Sequence, residues 1–366
     1  MCKFRRCKEL KQNKWSKILS TAVILISVAA VLVIVFTSQE LDNAWGVLAS
    51  LNPFWLLACI ACYAVYVYAE GGGLCAFLRM EGYRVKWSTA THFSFAGIYY
   101  ANITPSSTGG QPMQVYLMNQ RGVPGGIATS ALTARYFFNQ LALVLMTVVL
   151  WVLNGEFALQ QTGHVHGLII LGCVINFFTV PLVILVMLNR KMVEKFVCWV
   201  IRFLARHKLC KRPEEKIERG MKAVANFHES LFDLIHHPLH LLIQFVISVV
   251  EMTALMLVPV FVFYALGQSG TPWYQILTVA YMLFVSASYT PLPGASGAQE
   301  GGFLMYFRGI FADNVLPVAL LVWRFVTYYL CLLVGAGDQV YSSLRKRRKP
   351  IDHQEKDETQ TNKENA

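Results

Sequence analysis

The sequence predicts an all-α polytopic membrane protein with about six spanning helices and two re-entrant helical hairpins in inverted-topology repeats. Three observations predict this fold. Of the 366 residues, 55% are hydrophobic and only 14% are charged, whereas soluble domains carry about 25% charged residues. Several apolar runs exceed the roughly 18 residues that indicate a spanning helix. Two segments rich in Pro and Gly, similar in sequence, also interrupt apolar stretches in the two halves of the chain.

The expected spans are uninterrupted apolar runs: Ile18–Thr37, Pro53–Leu78, Gly126–Leu153, His166–Leu188, Leu239–Gly267 and Val315–Gly337. The interrupted apolar regions are Trp87–Gln120 and Trp273–Arg308. We therefore divide the chain into a basic N-terminus (1–17), a membrane domain (18–338) and a charged, disordered tail (339–366). Within the membrane domain, the two repeats occupy about 53–153 and 239–338, and a basic amphipathic loop occupies 189–238.

The distribution of basic residues predicts the orientation. Of the 32 Lys and Arg residues, 29 fall before the first span, in 79–87, at position 121, in 189–238 or after the last span. Six spans place all these segments on one side, and the opposite segments 38–52, 154–165 and 268–272 contain no Lys or Arg. The positive-inside rule makes the basic side, with both termini, cytosolic in a cytoplasmic membrane. The net charge of +11 therefore does not indicate nucleic acid, because no basic folded domain remains to bind it.

The interrupting segments form an imperfect duplication. Thr104–Gln111 and Thr290–Gln299 both begin with Thr-Pro and end with a hydroxyl residue, Gly, a small residue and Gln. An Arg follows each Gln within the next apolar run, Arg135 after 24 residues and Arg324 after 25. A lone acid precedes each segment in the span before it: Glu70 and Glu251.

Each interrupting segment is expected to form a re-entrant hairpin. Pro and Gly disfavour a continuous helix, and broken backbone at membrane depth must be covered by protein or face water. The first segment is flanked by the cytosolic Lys86 and Arg121, and the second by outer segments, so the two enter from opposite sides. Inverted repeats whose broken helices meet near the midplane are typical of transporters. Ordinary loops in an eight-span protein are the alternative.

At these motifs the sequence resembles the transmembrane, flippase-type region of the lysylphosphatidylglycerol synthases, also called multiple peptide resistance factors. The resemblance covers about residues 15–342 and is carried by YYANITPSSTGGQPMQVYL (99–117) and PLPGASGAQE (291–300). The chain departs from many relatives at Gln114, where they have Arg, and at Ala295, where they have Gly.

The resemblance implies a protein that binds and translocates phospholipid, anionic or aminoacylated. A component of aminoacyl-phosphatidylglycerol synthesis, with a role in resistance to cationic antimicrobial peptides, is one alternative. A non-transporting scaffold is another. In full-length relatives, a soluble domain transfers an aminoacyl group from tRNA. The tail at 339–366 is too short for such a domain, so we expect no transferase activity, and any synthase would be a separate protein. No P-loop or H-E-x-x-H motif is present, and we expect neither cofactor nor metal.

Four ionisable residues lie within the apolar runs: Glu70, Arg135, Glu251 and Arg324. Each costs roughly 2.5–3.5 kcal/mol at the centre of a spanning helix, so they are expected to be paired or to face a polar cavity. In one interpretation, the arginines contact a lipid phosphate and the glutamates contact an amine. In the other, the ion pairs Glu70–Arg135 and Glu251–Arg324 stabilise each repeat.

The remaining candidate binding residues lie in the duplicated segments. Gly109, Gly110, Gly294 and Gly297 either let backbone N–H groups approach a phosphate or allow the hairpin tips to pack tightly. The amides of Gln111 and Gln299 need polar partners in an apolar setting. The other candidates are Thr104, Ser107 and Glu300.

The loop 189–238 mixes basic residues with periodically spaced apolar ones, which predicts an amphipathic helix on the inner leaflet or a surface for a protein partner. Four histidines lie at its C-terminal end, at 228, 236, 237 and 240. Their spacing matches no standard zinc site, so we interpret them as a solvated turn.

Overall fold

The computed structural model describes residues 46–163, 166–206, 213–288, 290, 292–344 and 351. Across these ranges the regular structure is helical, and no strand longer than an isolated bridge is formed. The first expected span, Ile18–Thr37, lies outside the described residues, as do the N-terminal segment 1–17 and nearly all of the tail after residue 344.

From Pro53 onward, twelve α-helices follow in order along the described residues. They are α1 Pro53–Met80, α2 Trp87–Asn102, α3 Gly110–Gln120, α4 Gly125–Thr162, α5 His166–Leu188, α6 Arg190–Arg206, α7 Pro213–His236, α8 Pro238–Ala265, α9 Trp273–Ala287, α10 Ala298–Tyr306, α11 Leu316–Arg324 and α12 Leu330–Leu344. A π-helical turn, Phe325–Tyr329, joins α11 to α12.

Five apolar helical segments in the described residues are long enough to cross a membrane: Pro53–Met80, Gly125–Thr162, Ile169–Leu188, Pro238–Ala265 and Leu316–Asp338. They coincide with five of the six expected spans, so a multi-pass membrane protein is confirmed. Helix α4 is longer than expected. Its 38 residues correspond to roughly 57 Å at 1.5 Å per residue, and a non-helical backbone at Asn154 separates its last turns from the spanning part.

Each duplicated segment forms a helical hairpin. Helix α2 packs against α3, and α9 against α10. A single 3₁₀ turn lies near the tip of each hairpin: the first break, Pro105–Ser107, and the second break, Pro293–Ala295. The two breaks contact each other, as the sequence predicted for the hairpin tips. Whether the hairpins re-enter a membrane stays a prediction.

The two breaks share an unusual backbone conformation. Ser106 has φ 53° and ψ 26°, and Gly294 has φ 58° and ψ 22°. The next residues, Ser107 and Ala295, also have positive φ, 54° and 51°. This match places Pro105 opposite Pro293, six residues before the respective Gln, so the alignment of the two Thr-Pro pairs was wrong. A left-handed pair of residues is rare outside glycine, so its recurrence supports a true internal repeat.

One end of the helical bundle gathers the segments that were predicted to lie outside. The backbone N–H of Asn52 donates to Ala265 at 2.9 Å, and Gln161 donates to the carbonyl of Tyr306 at 3.0 Å. The N–H of Ala312 donates to the Gln268 side chain at 3.2 Å. The open end of the second hairpin, where α10 ends, therefore lies with these segments.

The other end gathers segments that were predicted to be cytosolic. The Ser230 hydroxyl donates to Glu81 at 2.9 Å, which joins α7 to the loop after α1. The N–H of Ile351 donates to the carbonyl of Arg121 at 2.8 Å. Both arms of the first hairpin end here, because α2 begins after the Glu81 loop and α3 ends beside Arg121. The hairpins thus enter the bundle from opposite ends.

The loop 189–238 forms two helices, α6 and α7, which pack against each other, and α7 also packs against α4. Helix α6 exposes three stacked aromatic side chains, Phe196, Trp199 and Phe203. The solvated interpretation of the histidines was wrong for His228, which is buried and contacts the Met187 carbonyl at 3.0 Å. Burial lowers the pKa of His228 because it disfavours the charged imidazolium.

The fold predicts which engineered cysteines are reachable from each side. In a cysteine-free background, Gly163→Cys and Ser269→Cys should react with a membrane-impermeant maleimide added outside intact cells, because both exposed positions belong to the outer end. Lys86→Cys and Glu214→Cys should react only after the membrane is permeabilised. Outside labelling of the second pair would reverse the assigned orientation.

Candidate functional site

A cavity of about 460 Å³ lies between the two repeats, within the roughly 300–1,000 Å³ of typical ligand sites. It is lined by α1, both hairpins, α4, α8, α11 and the π-helical turn. Eight of the candidate residues line it: Glu70, Ser107, Gly110, Gln111, Glu251, Gly294, Gln299 and Arg324. The structure therefore places candidate residues from both halves of the chain around one cavity.

Arg135 of α4 forms a buried ion pair with Glu251 of α8. A second guanidinium nitrogen donates to the Ser248 hydroxyl at 3.3 Å, and Asn139 donates to the other Glu251 oxygen at 2.9 Å. Gly73 of α1 allows this arrangement, because a Cβ at that position would overlap the Arg135 guanidinium. Arg135 itself does not line the cavity.

Arg324 of α11 pairs with a different acid, Glu300 of the second hairpin, with Nε 2.9 Å from Oε1. Its Nη2 lies 3.4 Å from the carbonyl of Gly294 in the second break. The other Glu300 oxygen accepts the N–H of Gly297 and so caps α10. Arg324 thereby holds the second hairpin to α11 while its side chain also lines the cavity.

The expected ion pairs Glu70–Arg135 and Glu251–Arg324 were therefore wrong. Both arginines are paired. Arg135 pairs with an acid of the other repeat, whereas Arg324 pairs with an acid in the hairpin of its own repeat. The difference has a simple origin in the sequence. The residue after Gln299 is Glu300, whereas the residue after Gln111 is Pro112. The first hairpin thus offers no carboxylate at that position to Arg135.

Glu70 of α1 has a neutral partner. Its Oε1 accepts a hydrogen bond from the Gln114 amide of the first hairpin at 3.2 Å. Its Oε2 is buried and makes no hydrogen bond within the described part of the chain. Gln114 packs tightly against Gly97 of α2, where a Cβ would overlap the amide. Gln114, which the sequence analysis singled out as a departure from the family pattern, is thus the residue that contacts Glu70.

The glycines of the hairpins serve close packing and turn geometry. A Cβ on Gly110 would lie 2.7 Å from the Gly97 carbonyl oxygen, and one on Gly109 would lie 2.6 Å from Thr104. At Gly294, φ is 58° and a Cβ would overlap the Tyr328 ring. A Cβ on Gly297 would make only an ordinary contact, 3.9 Å from Leu292, but φ is 86°, so the glycine is needed for the turn that starts α10.

Some candidates lie beside the cavity, and some lining residues were not predicted. Thr104 accepts the Gly109 N–H at 2.8 Å and donates to Tyr100 at 2.7 Å, so its hydroxyl is used within the first hairpin. Thr104, Gly109, Gly297 and Glu300 do not line the cavity. The unpredicted polar lining residues are Tyr63, Tyr66, Asn102, Gln114, Tyr136, Asn139, Gln140, Ser288, Thr327 and Tyr328. Helical spacing from the two arginines could have indicated Asn139, Thr327 and Tyr328.

Comparison with known proteins identifies the family. The family model for the lysylphosphatidylglycerol synthase TM region matches residues 18–335. A UPF0104 membrane protein of Archaeoglobus fulgidus is 26% identical over 338 residues, which cover 88% of this chain and 97% of the relative. Another, from Methanothermobacter thermautotrophicus, is 28% identical over 261 residues, or 68% and 72% of the two chains. The chain belongs to the lysylphosphatidylglycerol synthase transmembrane region family, as the motifs predicted.

The ion pair between the repeats yields a stability prediction. Arg135→Gln should lower the free energy of unfolding by about 3–5 kcal/mol, because it leaves a buried Glu251 without its counter-charge. The double variant Arg135→Gln with Glu251→Gln should recover much of that loss. Thermal unfolding in detergent measures both.

The control is Arg190→Gln, which removes an exposed ion pair with Glu194 and should change the unfolding temperature little. Equal unfolding temperatures for Arg135→Gln and the wild type would contradict the assigned pair.

Proposed function

We propose that this member of the family binds the headgroup of a membrane phospholipid in the cavity between its repeats and moves it across the cytoplasmic membrane. One observation carries the proposal. Two hairpins that enter the bundle from opposite ends meet at their breaks, beside a cavity lined by charged and amide side chains of both repeats. A site reachable in turn from either end is what an alternating-access transporter requires.

The cavity has the chemistry to replace the hydration of a headgroup. Arg324 lines it, and its contact with the Gly294 carbonyl, at 3.4 Å, is a long one that a phosphate oxygen can replace. Gln111 and Gln299 face the same space from the two hairpins and offer amide donors. Arg135 is committed to Glu251 and does not line the cavity, so of the two arginines we assign the phosphate contact to Arg324.

The size of the cavity restricts what it encloses. About 460 Å³ accommodates a polar headgroup, while the acyl chains stay in the surrounding lipid during movement. A charged phosphate otherwise has to cross a low-dielectric region without partners, at a large cost in free energy. Fixed guanidinium and amide dipoles lower that barrier because they are oriented before the headgroup arrives.

The test is lipid movement in proteoliposomes that contain a panel of fluorescent phospholipids. Arg324→Gln should slow movement about tenfold or more, since a charge-assisted hydrogen bond contributes about 1.5–3 kcal/mol. The variant also leaves Glu300 unpaired, so Arg324→Gln with Glu300→Gln serves as the variant with restored charge balance. It should fold like the wild type and still transport slowly.

Arg308→Gln is the matched control, because Arg308 is exposed and lies outside the cavity. It should move lipid at the wild-type rate. The proposed site is wrong if the balanced double variant transports as fast as the wild type. The proposed function is wrong if no lipid moves faster in wild-type proteoliposomes than in protein-free ones.

A further inference from the structure

We propose that Glu70 binds an exchangeable proton, and that this proton is taken up and released as the lipid headgroup moves. The proton site stands on the surroundings of Glu70 alone. Its coupling to lipid movement rests on the proposed function.

Glu70 lies within the span α1, ten residues before its last residue, Met80, and its side chain lines the cavity. Gln114 presents an amide N–H to Oε1 at 3.2 Å. The other oxygen is buried without a hydrogen-bond partner among the described residues. Burying a carboxylate with an unpaired oxygen is unfavourable. The protonated carboxyl group is neutral and costs less free energy at the same position.

The counter-charges around the cavity are committed elsewhere. Arg135 pairs with Glu251 and Arg324 pairs with Glu300. Three carboxyl groups therefore share two guanidinium groups in this region of the described structure, and Glu70 is the one whose partner there is the Gln114 amide rather than a guanidinium group. One positive charge is missing, and a proton on Glu70 supplies it.

The titratable and charged groups that interact with Glu70 come from four helices. Tyr63 and Tyr66 lie on α1 with it, Arg135 on α4, Glu251 on α8 and Cys331 on α12. The tyrosines and the cysteine are neutral at physiological pH. Glu251 repels a second negative charge, and Arg135 is already neutralised by Glu251. The surroundings thus favour the protonated form of Glu70 while the cavity is closed to water.

A proton fits this place better than a sodium ion. Sodium requires several oxygen ligands, but Gln114 turns its N–H toward Glu70 rather than its carbonyl oxygen. Asn139 also donates its amide to a carboxylate, Glu251, at 2.9 Å. When the cavity opens to water, the carboxylate becomes solvated and releases the proton. The proton therefore leaves on whichever side the site opens.

Proton binding can be measured without transport. Infrared difference spectra of the purified full chain, taken between acidic and alkaline pH, should contain a protonated-carboxyl band from a group in apolar surroundings, and Glu70→Gln should lose this band. Glu156→Gln, which replaces an exposed glutamate on α4 outside the cavity, should keep the band. A band of equal size in Glu70→Gln would overturn the proposal, and so would a band that responds to replacing sodium with choline but not to pH.

A second measurement needs no variant. A hydrophobic carbodiimide reacts with protonated carboxyl groups in apolar surroundings, so it should modify Glu70 in the wild-type protein. Mass spectrometry should find the adduct at acidic pH and less of it at alkaline pH. Absence of an adduct on Glu70 at every pH would overturn the proton site.

Coupling is tested in proteoliposomes under a pH gradient, with the membrane potential held at zero by potassium and valinomycin. If one proton accompanies each lipid, one pH unit should produce about a tenfold difference in lipid between the leaflets at steady state. Glu70→Gln should give the same distribution with and without the gradient.

The outcomes separate the two proposals. If the pH gradient has no effect on lipid movement by the wild-type protein, the proposed coupling between the proton and the lipid is wrong. No lipid movement in any wild-type sample refutes the proposed function, while the infrared and carbodiimide results still decide the proton site.

Discussion

The buried ion pair between Arg135 and Glu251 determines how the rest of the site is arranged. It joins α4 of the first repeat to α8 of the second, so the two repeats meet through a contact that neither contains alone. The pair also positions Asn139 beside Glu251 and withdraws Arg135 from the cavity. Because Arg135 is used in this way, Glu70 has an amide from the first hairpin as its partner. Because Arg135 neutralises Glu251, it does not balance a negative charge on Glu70.

The repeats are similar in backbone and different in chemistry. Their breaks have nearly the same dihedral angles, yet the second hairpin carries Glu300 where the first carries Pro112. The second hairpin is consequently held to its own arginine, and the first is held to α1 through Gln114 and Glu70. A headgroup in the cavity would therefore meet a guanidinium from one repeat and a carboxyl from the other.

Much of the fold could be predicted from the sequence because it follows from local composition. The length of the apolar runs predicted the spans, and Pro and Gly predicted the breaks. Both predictions depend only on the local sequence. The partners of the four ionisable residues could not be predicted, because they depend on where α4 crosses α8 and where α11 meets the second hairpin. The apparent match of Thr104-Pro with Thr290-Pro misled the alignment, whereas the spacing from each Gln to its Arg was a better guide. Gln114 was noticed only as a departure from relatives, and its contact with Glu70 required the fold.

The left-handed serines of the first break imply that the tip of the first hairpin stores conformational strain. Ser106 and Ser107 both hold positive φ, a conformation that costs roughly 1–3 kcal/mol for a residue other than glycine. The second break places a glycine at the first of these two positions and bears less of that cost. Such strain persists only while neighbouring groups enforce it, and the opposing break is one of those neighbours. Separating the tips would let the serines relax. That relaxation would partly offset the packing energy between the tips and so lower the free-energy cost of opening the bundle at its centre.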